Sequence, residues 1–201
     1  AYPIIDGVPV FVEEKNLPSA QAEALSYYDD VSNVYDDVAG LTFRIQYLDE
    51  DKTRNAFIEP LGLTPESRVL ESACGTGRDS LNIARALGKN GQFYLQDLSK
   101  GMLSRCKAKL AGAGVPCEFV LGDACHLPFP DGYFDAVFSF GGICVFGDIA
   151  QSLREMARVS KKGARIAVGD ESLGPWLYDS EYGKVLMHTN PLLKAELPLK
   201  H

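Results

Sequence analysis

Residues 68–77 of the chain read Arg-Val-Leu-Glu-Ser-Ala-Cys-Gly-Thr-Gly, an apolar run that leads into two glycines separated by one residue. Residues 68–72 predict a short β-strand, and the periodicity of 77–87 predicts a helix that ends at Gly88. The glycines permit a tight turn in which the backbone approaches a ligand closely, and the helix N-terminus offers unpaired N–H groups. Such a turn also occurs as a plain strand-to-helix connection, so its function depends on the rest of the chain.

Strands and helices continue to alternate after this turn. The pattern predicts strands at 92–97, 117–121, 134–140 and 164–169, a helix capped by Ser99, and a helix from an Asp148 cap to a Gly163 stop. Strands that alternate with helices on short loops pair in parallel through right-handed crossovers. The sequence therefore predicts an α/β fold with a doubly wound, mostly parallel sheet over residues 63–171.

Shorter regions flank this predicted domain. Residues 1–19 contain two apolar runs around Asp6-Gly7, a hairpin-type dipeptide, and predict an N-terminal hairpin or arm. Residues 20–62 show helical spacing, with a second helix that ends at Leu61-Gly62, and are expected to form N-terminal helices that cover the substrate and cofactor. Residues 172–201 are expected to be part of a C-terminal substrate region in a truncated chain.

Composition and charge exclude several classes of protein. The 201 residues are 46% apolar and 23% charged, and the longest nearly uncharged apolar stretch, 136–147, is shorter than the roughly 18 residues of a membrane span. A net charge of −7 repels nucleic acid. Five cysteines without a C-x-x-C pair argue against a disulfide scaffold or a structural zinc site. We expect a cytoplasmic protein with no nucleic-acid partner, no integral membrane association and no metal.

Two further loops carry polar residues where a nucleoside would lie. Asp97 ends the second strand of the domain, where a carboxylate can accept hydrogen bonds from both hydroxyls of a ribose. Asp123 and Ala124 follow the third strand, where a carboxylate and a backbone N–H can read the edge of an adenine. Ser80 replaces the third glycine of the dinucleotide fingerprint, and Asp79 would repel a pyrophosphate. These residues disfavour NAD and FAD as the nucleoside ligand.

Four segments, taken in order, carry a family resemblance. They are VLESACGTGRDSLNIA (69–84), FYLQDLSKGML (93–103), GDACHLPFPDGYFDAVFS (122–139) and SLREMARVSKKGARIAV (152–168). Together they resemble the motifs of class I S-adenosylmethionine-dependent methyltransferases, and most closely the ubiquinone and menaquinone biosynthesis branch. The resemblance implies a Rossmann-like methyltransferase fold, S-adenosylmethionine as cofactor and a small-molecule methyl acceptor. The arm YPIIDGVPVF also resembles the last strand of zinc-ribbon modules fused ahead of some methyltransferases.

The same resemblance implies roles for individual residues. The methionine part of the cofactor would contact Glu71, Ala73, Cys74, Gly75 and Gly77; the ribose would contact Asp97; Leu98 and Met102 would line the adenine and ribose pocket; Asp123 and the Ala124 N–H would recognise adenine; Phe140 would begin the loop that faces the sulfonium. Ala73 and Glu71 depart mildly from the usual glycine and aspartate. The histidine often found in the loop 141–144 is absent, which weakens the inference of a quinone-type substrate.

No catalytic residue is assigned, because an activated sulfonium methyl mainly requires that donor and acceptor be held in line and that water be excluded. Several side chains could contribute, but structural or solvated roles explain each of them more simply: His126 as a base, Tyr27, Tyr28 and Tyr35 as cation–π partners, Arg44 as a partner of the cofactor carboxylate, and Cys74, Cys125 and Cys144 as ligands of a metalloid substrate. The alternatives are a non-catalytic S-adenosylmethionine-binding domain and an NAD-dependent oxidoreductase.

Overall fold

The chain begins with a small hairpin that lies against the edge of the main sheet. The structure, a computed structural model, describes residues 2–45, 47–170 and 172–189. Strands β1 (Ile4–Ile5) and β2 (Val8–Pro9) pair antiparallel across a turn at Asp6 and Gly7. After the hairpin, the N–H of Phe11 donates to the carbonyl of Leu121 at 2.8 Å. The segment after the hairpin therefore adds one backbone hydrogen bond to the edge strand of the main sheet.

The N-terminal helical region contains one more helix than the sequence predicted. In the described part of residues 19–62, the helices are α1 (Ser19–Val31), α2 (Tyr35–Ile45) and α3 (Glu50–Ile58). The sequence analysis did not predict the boundary between α2 and α3. It lies at Asp49, whose side chain accepts a hydrogen bond from the N–H of Lys52 at 3.0 Å and caps α3. The region ends at Gly62, in the left-handed conformation with φ 59°.

The main sheet is parallel and doubly wound, as the sequence predicted. Its strands are β3 (Arg68–Ser72), β4 (Gln92–Asp97), β5 (Cys117–Leu121), β6 (Phe134–Phe140) and β7 (Ser160–Gly169), in the spatial order β5-β4-β3-β6-β7. The chain moves from β3 outward to β5 and then crosses to β6 and β7 on the other side. The strand order therefore reverses between β3 and β6. The loops that leave the carboxyl ends of these two strands run in opposite directions, which opens a crevice between them.

Helices cover both faces of this sheet. They are α4 (Ser80–Ala86), α5 (Lys100–Lys109) and α6 (Ile149–Val159), and α7 (Glu181–Thr189) follows the last strand. Val69 and Phe138 pack with residues of α4 and α5 on one face, whereas Leu70 and Val137 pack with Met156 of α6 on the other. This alternation is the period of two that a buried parallel strand requires. Residues 190–201 of the predicted C-terminal region lie outside the described residues.

Two element boundaries differ from the prediction because glycines with positive φ occur at them. Helix α4 begins at Ser80 instead of residue 77, since Gly75 and Gly77 have φ of 53° and 82° and cannot belong to a right-handed helix. Gly163, with φ 83°, lies inside β7 and does not end α6. A register shift in the pairing of β6 with β7 accommodates it. Every helix in the described ranges is too short or too polar to cross a bilayer.

Candidate functional site

A cleft of about 640 Å³ opens at the carboxyl ends of the strands, where the strand order reverses. Open α/β sheets bind ligands at this position. The loops after β3, β4, β5 and β6 line the cleft, together with side chains of α1 and α2. Nine of the eleven predicted cofactor-binding residues are part of this lining: Ala73, Cys74, Gly75, Asp97, Leu98, Met102, Asp123, Ala124 and Phe140.

The loop between β3 and α4 is fixed by its backbone conformation and by its packing. Ala73, Gly75 and Gly77 all have positive φ. The N–H of Cys74 donates to the carbonyl of Gln96 at 3.0 Å, which ties the loop to β4. A Cβ atom at position 77 would lie 2.8 Å from the Sγ of Cys106, so glycine is needed for the loop to rest on α5. The loop is therefore a rigid backbone surface at the edge of the cleft.

Asp97, at the end of β4, is a buried carboxylate with both oxygens engaged. It accepts hydrogen bonds from the N–H of Gly75 at 2.7 Å and from the N–H of Ser99 at 2.9 Å. Burial raises the pKa of Asp97 to about 6, although these N–H donors oppose the rise. A carboxylate oxygen has two lone pairs, so both oxygens can still accept hydroxyl donors from a ligand in the cleft.

Asp123, in the loop after β5, is held by groups from two directions. Its Oδ1 accepts from the side-chain amide of Gln21 on α1 at 3.1 Å and from the N–H of Cys125 at 2.9 Å. Ala124 beside it is 4% exposed. Helix α1 therefore contacts the loop predicted to read adenine, which explains how the N-terminal helices come to lie beside the cleft.

Apolar residues border these polar groups. Met102, in the first turn of α5, is 2% exposed and lines the cleft together with Leu98. The ring of Phe140 at the end of β6 lies 4.8 Å from the ring of Phe57 on α3. Leu98, Met102 and Phe140 therefore add apolar surface to the cleft.

Two of the predicted site residues lie beneath the cleft and do not line it. Glu71 is 2% exposed and accepts a hydrogen bond from the hydroxyl of Ser80 at 2.6 Å. Burial, followed by the charge of Asp79, raises the pKa of Glu71 well above its ordinary value, so its neutral form is favoured. Gly77 packs on α5. Their positions suit support of the loop, and a direct contact with ligand stays a prediction.

Sequence reasoning missed a set of charged residues at the cleft. Arg54 and Arg78 line it, and both donate to Glu50 of α3. Arg54 also donates to Asp79, and Arg78 to Asp36 of α2. No local sequence pattern predicts this cluster, because Arg54 and Asp79 are 25 residues apart in the sequence and meet only when α3 packs beside the loop between β3 and α4. The spacing of Glu50 and Arg54, four residues apart on a helix, was the one available signal.

The tyrosines of the N-terminal helices meet at the cleft. The rings of Tyr27 and Tyr28 are 5.3 Å apart, and those of Tyr28 and Tyr35 are 6.0 Å apart. Burial, followed by the neighbouring Tyr35, raises the pKa of Tyr28 above its ordinary value, so its hydroxyl stays protonated near neutral pH. All three tyrosines line the cleft and also pack against one another, so a role as ligand contacts stays a prediction.

The remaining candidates are not part of the cleft lining, although the Nδ1 of His126 lies 3.3 Å from the Oδ2 of Asp123. The side chain of His126 is 80% exposed, and Arg44 is an exposed residue in the last turn of α2. Cys125 and Cys144 are absent from the described lining of the cleft. Among the residues that the structure describes, no group of three or more histidine, cysteine or acidic side chains could hold a metal ion.

The parallel sheet and its strand order define a Rossmann-like fold, and the cleft lies where folds of this kind bind nucleotides. Residues 69–163 match the family model of a methyltransferase domain. A demethylmenaquinone methyltransferase of Beutenbergia cavernae is 36% identical over 186 residues, which cover 89% of this chain and 73% of that protein. The ubiquinone/menaquinone biosynthesis C-methyltransferase UbiE of Proteus mirabilis is 38% identical over 113 residues, which cover 55% of this chain and 45% of that protein.

Solved structures agree on the fold. A SAM-dependent methyltransferase of Aquifex aeolicus superposes with a TM-score of 0.56 at 22% identity, over 77% of this chain and 87% of that chain. Other solved chains at 24 to 26% identity are covered over 57 to 61% of their length. The chain belongs to the class I S-adenosylmethionine-dependent methyltransferases, in the branch of ubiquinone and menaquinone biosynthesis. S-adenosylmethionine is its cofactor, so the predictions of fold class, family and cofactor are confirmed. The roles of individual site residues stay predictions.

Proposed function

We propose that this chain transfers the methyl group of S-adenosylmethionine to the ring of a small quinol-type aromatic molecule. The observation that carries the proposal is the number of aromatic side chains that line the cleft, called here the aromatic wall: Tyr27, Tyr28, Tyr35, Phe140 and Phe146. A wall of this kind suits a flat, apolar acceptor. The names of the relatives, demethylmenaquinone methyltransferases, give the same acceptor class. We give this agreement among relatives more weight than the absence of a histidine from the loop 141–144, which argued against a quinone-type acceptor.

The polar groups of the cleft fit the cofactor. Asp97 would accept hydrogen bonds from the ribose hydroxyls, and Asp123 with the Ala124 N–H would recognise the adenine edge. Leu98 and Met102 would pack against the nucleoside. When bound, S-adenosylmethionine supplies a methyl group on a positively charged sulfur. In this arrangement a nucleoside would lie along the loops, and the aromatic wall would be left for the acceptor.

Positioning is the main contribution of the chain to the reaction. With S-adenosylmethionine bound, a ring carbon of the acceptor would take the methyl group, the electron pair of the broken carbon–sulfur bond would stay on sulfur, and the ring carbon would release its proton to solvent. The aromatic wall would hold the acceptor ring in line and exclude water. Its electron-rich faces would also stabilise the sulfonium charge by cation–π attraction. Tyr28, protonated and half-buried, can donate a hydrogen bond to a ring oxygen of the acceptor.

Methyl transfer can be measured with isotopically methyl-labelled S-adenosylmethionine and a reduced, short-chain demethylmenaquinone. We expect a singly methylated ring product, detected by mass spectrometry. Tyr28→Ala should lower the turnover about tenfold or more through lost alignment of the acceptor, while the affinity for S-adenosylhomocysteine, which lacks the sulfonium charge, changes by less than about twofold. The matched control is Tyr182→Ala, since Tyr182 is a half-exposed tyrosine on α7 that does not line the cleft.

The outcome also separates the alternatives. Tight cofactor binding with no methylated product from the quinol, the oxidised quinone or single-ring phenols would show a non-catalytic binding domain. Product from a non-aromatic acceptor alone would contradict the acceptor class but not the methyl transfer.

A further inference from the structure

Asp170 follows β7 directly and lines the cleft. In the register of the sheet, Gly169 pairs with Phe140, and the N–H of Gly141 donates to the carbonyl of Gly169 at 3.0 Å. The chain therefore leaves β7 beside the loop after β6, which is the loop predicted to face the sulfonium. Asp170 is half-buried. A carboxyl group thus lies at the end of the cleft that β6 and β7 form.

The carboxyl group of Asp170 is oriented by a backbone contact. Its Oδ2 accepts a hydrogen bond from the N–H of Cys144 at 2.9 Å. Cys144 belongs to a short 3₁₀ helix that leads to Phe146 of the aromatic wall. Burial is the main reason that the pKa of Tyr28 is raised, and the charge of Asp170 adds to the rise, as it does only at short range. The carboxyl group is therefore held by one oxygen and lies near Tyr28.

The position of β7 separates Asp170 from the nucleoside-reading residues. Asp97 and Asp123 follow β4 and β5, and the strand order β5-β4-β3-β6-β7 puts both on the far side of β3. Neighbouring strands lie about 4.8 Å apart, so β7 is roughly 14 Å from β4 across the sheet. Asp170 therefore lies at the end of the cleft that the nucleoside would leave to the acceptor.

The other acidic residues of the cleft are less suited to take a proton from an acceptor. In the described lining they are Glu23, Asp79, Asp97 and Asp123. Glu23 is an exposed residue of α1, and Asp79 is paired with Arg54 at 2.5 Å. No histidine belongs to this part of the described chain. Since Asp97 and Asp123 face the nucleoside, Asp170 is the carboxylate that remains for the acceptor.

We propose that Asp170 is the general base of the methyl transfer and accepts the proton of an acceptor hydroxyl. The inference rests on the aromatic quinol-type acceptor of the proposed function. As this proton moves to the carboxylate, the electron pair of the O–H bond stays on oxygen and enriches the neighbouring ring carbon, which takes the methyl group. The ring carbon then releases its own proton to solvent, and Asp170 returns the first proton to the ring oxygen. One proton is released for each methyl group transferred.

Asp170→Asn tests this role with little change in shape. The amide keeps an oxygen for the N–H of Cys144 but cannot take up a proton. General bases contribute on the order of 10²- to 10⁴-fold, so the variant should methylate short-chain demethylmenaquinol about a hundredfold or more slowly. Its affinity for S-adenosylhomocysteine, measured by calorimetry, should change by less than about twofold. Asp179→Asn is the matched control and should turn over like the unaltered chain, because Asp179 is exposed between β7 and α7 and does not line the cleft.

A more acidic acceptor distinguishes a base from a structural residue. Fluorine on the second ring of the demethylmenaquinol makes its hydroxyls more acidic, so a missing base should matter less. We expect the ratio of turnover between the unaltered chain and Asp170→Asn to shrink by about threefold or more with the fluorinated acceptor. The same ratio for both acceptors would overturn the inference, and so would undiminished turnover in Asp170→Asn.

If Asp170→Asn does not fold, the unaltered chain still decides. Its turnover should fall about a hundredfold or more when both hydroxyls of the demethylmenaquinol are replaced by methyl ethers. Equal turnover of the ether and the free quinol would overturn the inference. An unaltered chain that methylates neither compound contradicts the proposed function itself, whereas an active chain with an equally active Asp170→Asn contradicts only the role of Asp170.

Discussion

Asp97→Ala is expected to weaken S-adenosylhomocysteine binding about a hundredfold or more. Each charge-assisted hydrogen bond from a ribose hydroxyl to this carboxylate contributes roughly 1.5 to 3 kcal/mol, so losing two costs about 3 kcal/mol or more. The structure adds a second reason, since Asp97 also holds the N–H groups of Gly75 and Ser99 in place. Asp97→Asn keeps the size and part of the hydrogen bonding, so its affinity should fall between. Calorimetry measures all three chains.

The control for this prediction is Asp51→Ala, an exposed aspartate in the first turn of α3. It should bind the cofactor like the unaltered chain. If Asp97→Ala remains folded by circular dichroism and also binds like the unaltered chain, β4 does not end at the ribose, and the assignment of the adenine loop after β5 is wrong with it.

Gly77→Ala is expected to destabilise the fold strongly. The backbone at position 77 has φ 82°, which costs a residue with a Cβ atom about 1 to 2 kcal/mol. The new Cβ would lie 2.8 Å from the Sγ and 3.2 Å from the Cα of Cys106, and the Cα belongs to the backbone of α5 and cannot rotate away. Overpacking adds about 1 to 3 kcal/mol, so the free energy of unfolding should fall by about 2 to 5 kcal/mol. Denaturant unfolding measures it.

Gly112→Ala separates the two causes. Gly112 has a similar φ of 86°, but an added Cβ would meet nothing within 4 Å. Only the backbone cost should appear, so Gly112→Ala should be less destabilising than Gly77→Ala by about 1 kcal/mol or more. Equal losses in the two variants would show that the loop between β3 and α4 does not depend on close packing against Cys106.

The sequence predicted the sheet well because strands such as 92–97 and 134–140 are short apolar runs with clear turn residues around them. The caps Ser99 and Asp148 were also readable, because an N-cap is a local hydrogen bond between a side chain and a nearby N–H. Helix α4 was predicted to begin too early because the conformation of Gly77 depends on its contact with Cys106 of α5. No local sequence pattern connects these two residues.

The site could be predicted in part for the same reason. Asp97 and Asp123 follow from their positions at strand ends, which the fold brings together at one edge. Arg54 could not be predicted, because its partner Asp79 is defined only when α3 packs beside the loop between β3 and α4. Asp79 was interpreted only as a charge that repels pyrophosphate, whereas the structure places it in the lining of the cleft.

The most direct test of the account is a calorimetric titration of the unaltered chain with S-adenosylmethionine, S-adenosylhomocysteine and NAD. Ser80 in place of the third fingerprint glycine, and Asp79 at the cleft, both disfavour a pyrophosphate. We expect the first two ligands to bind and NAD to bind at least about tenfold more weakly, a difference of roughly 1.4 kcal/mol or more. NAD binding as tight as S-adenosylmethionine binding, or tighter, would contradict the assignment of the cleft.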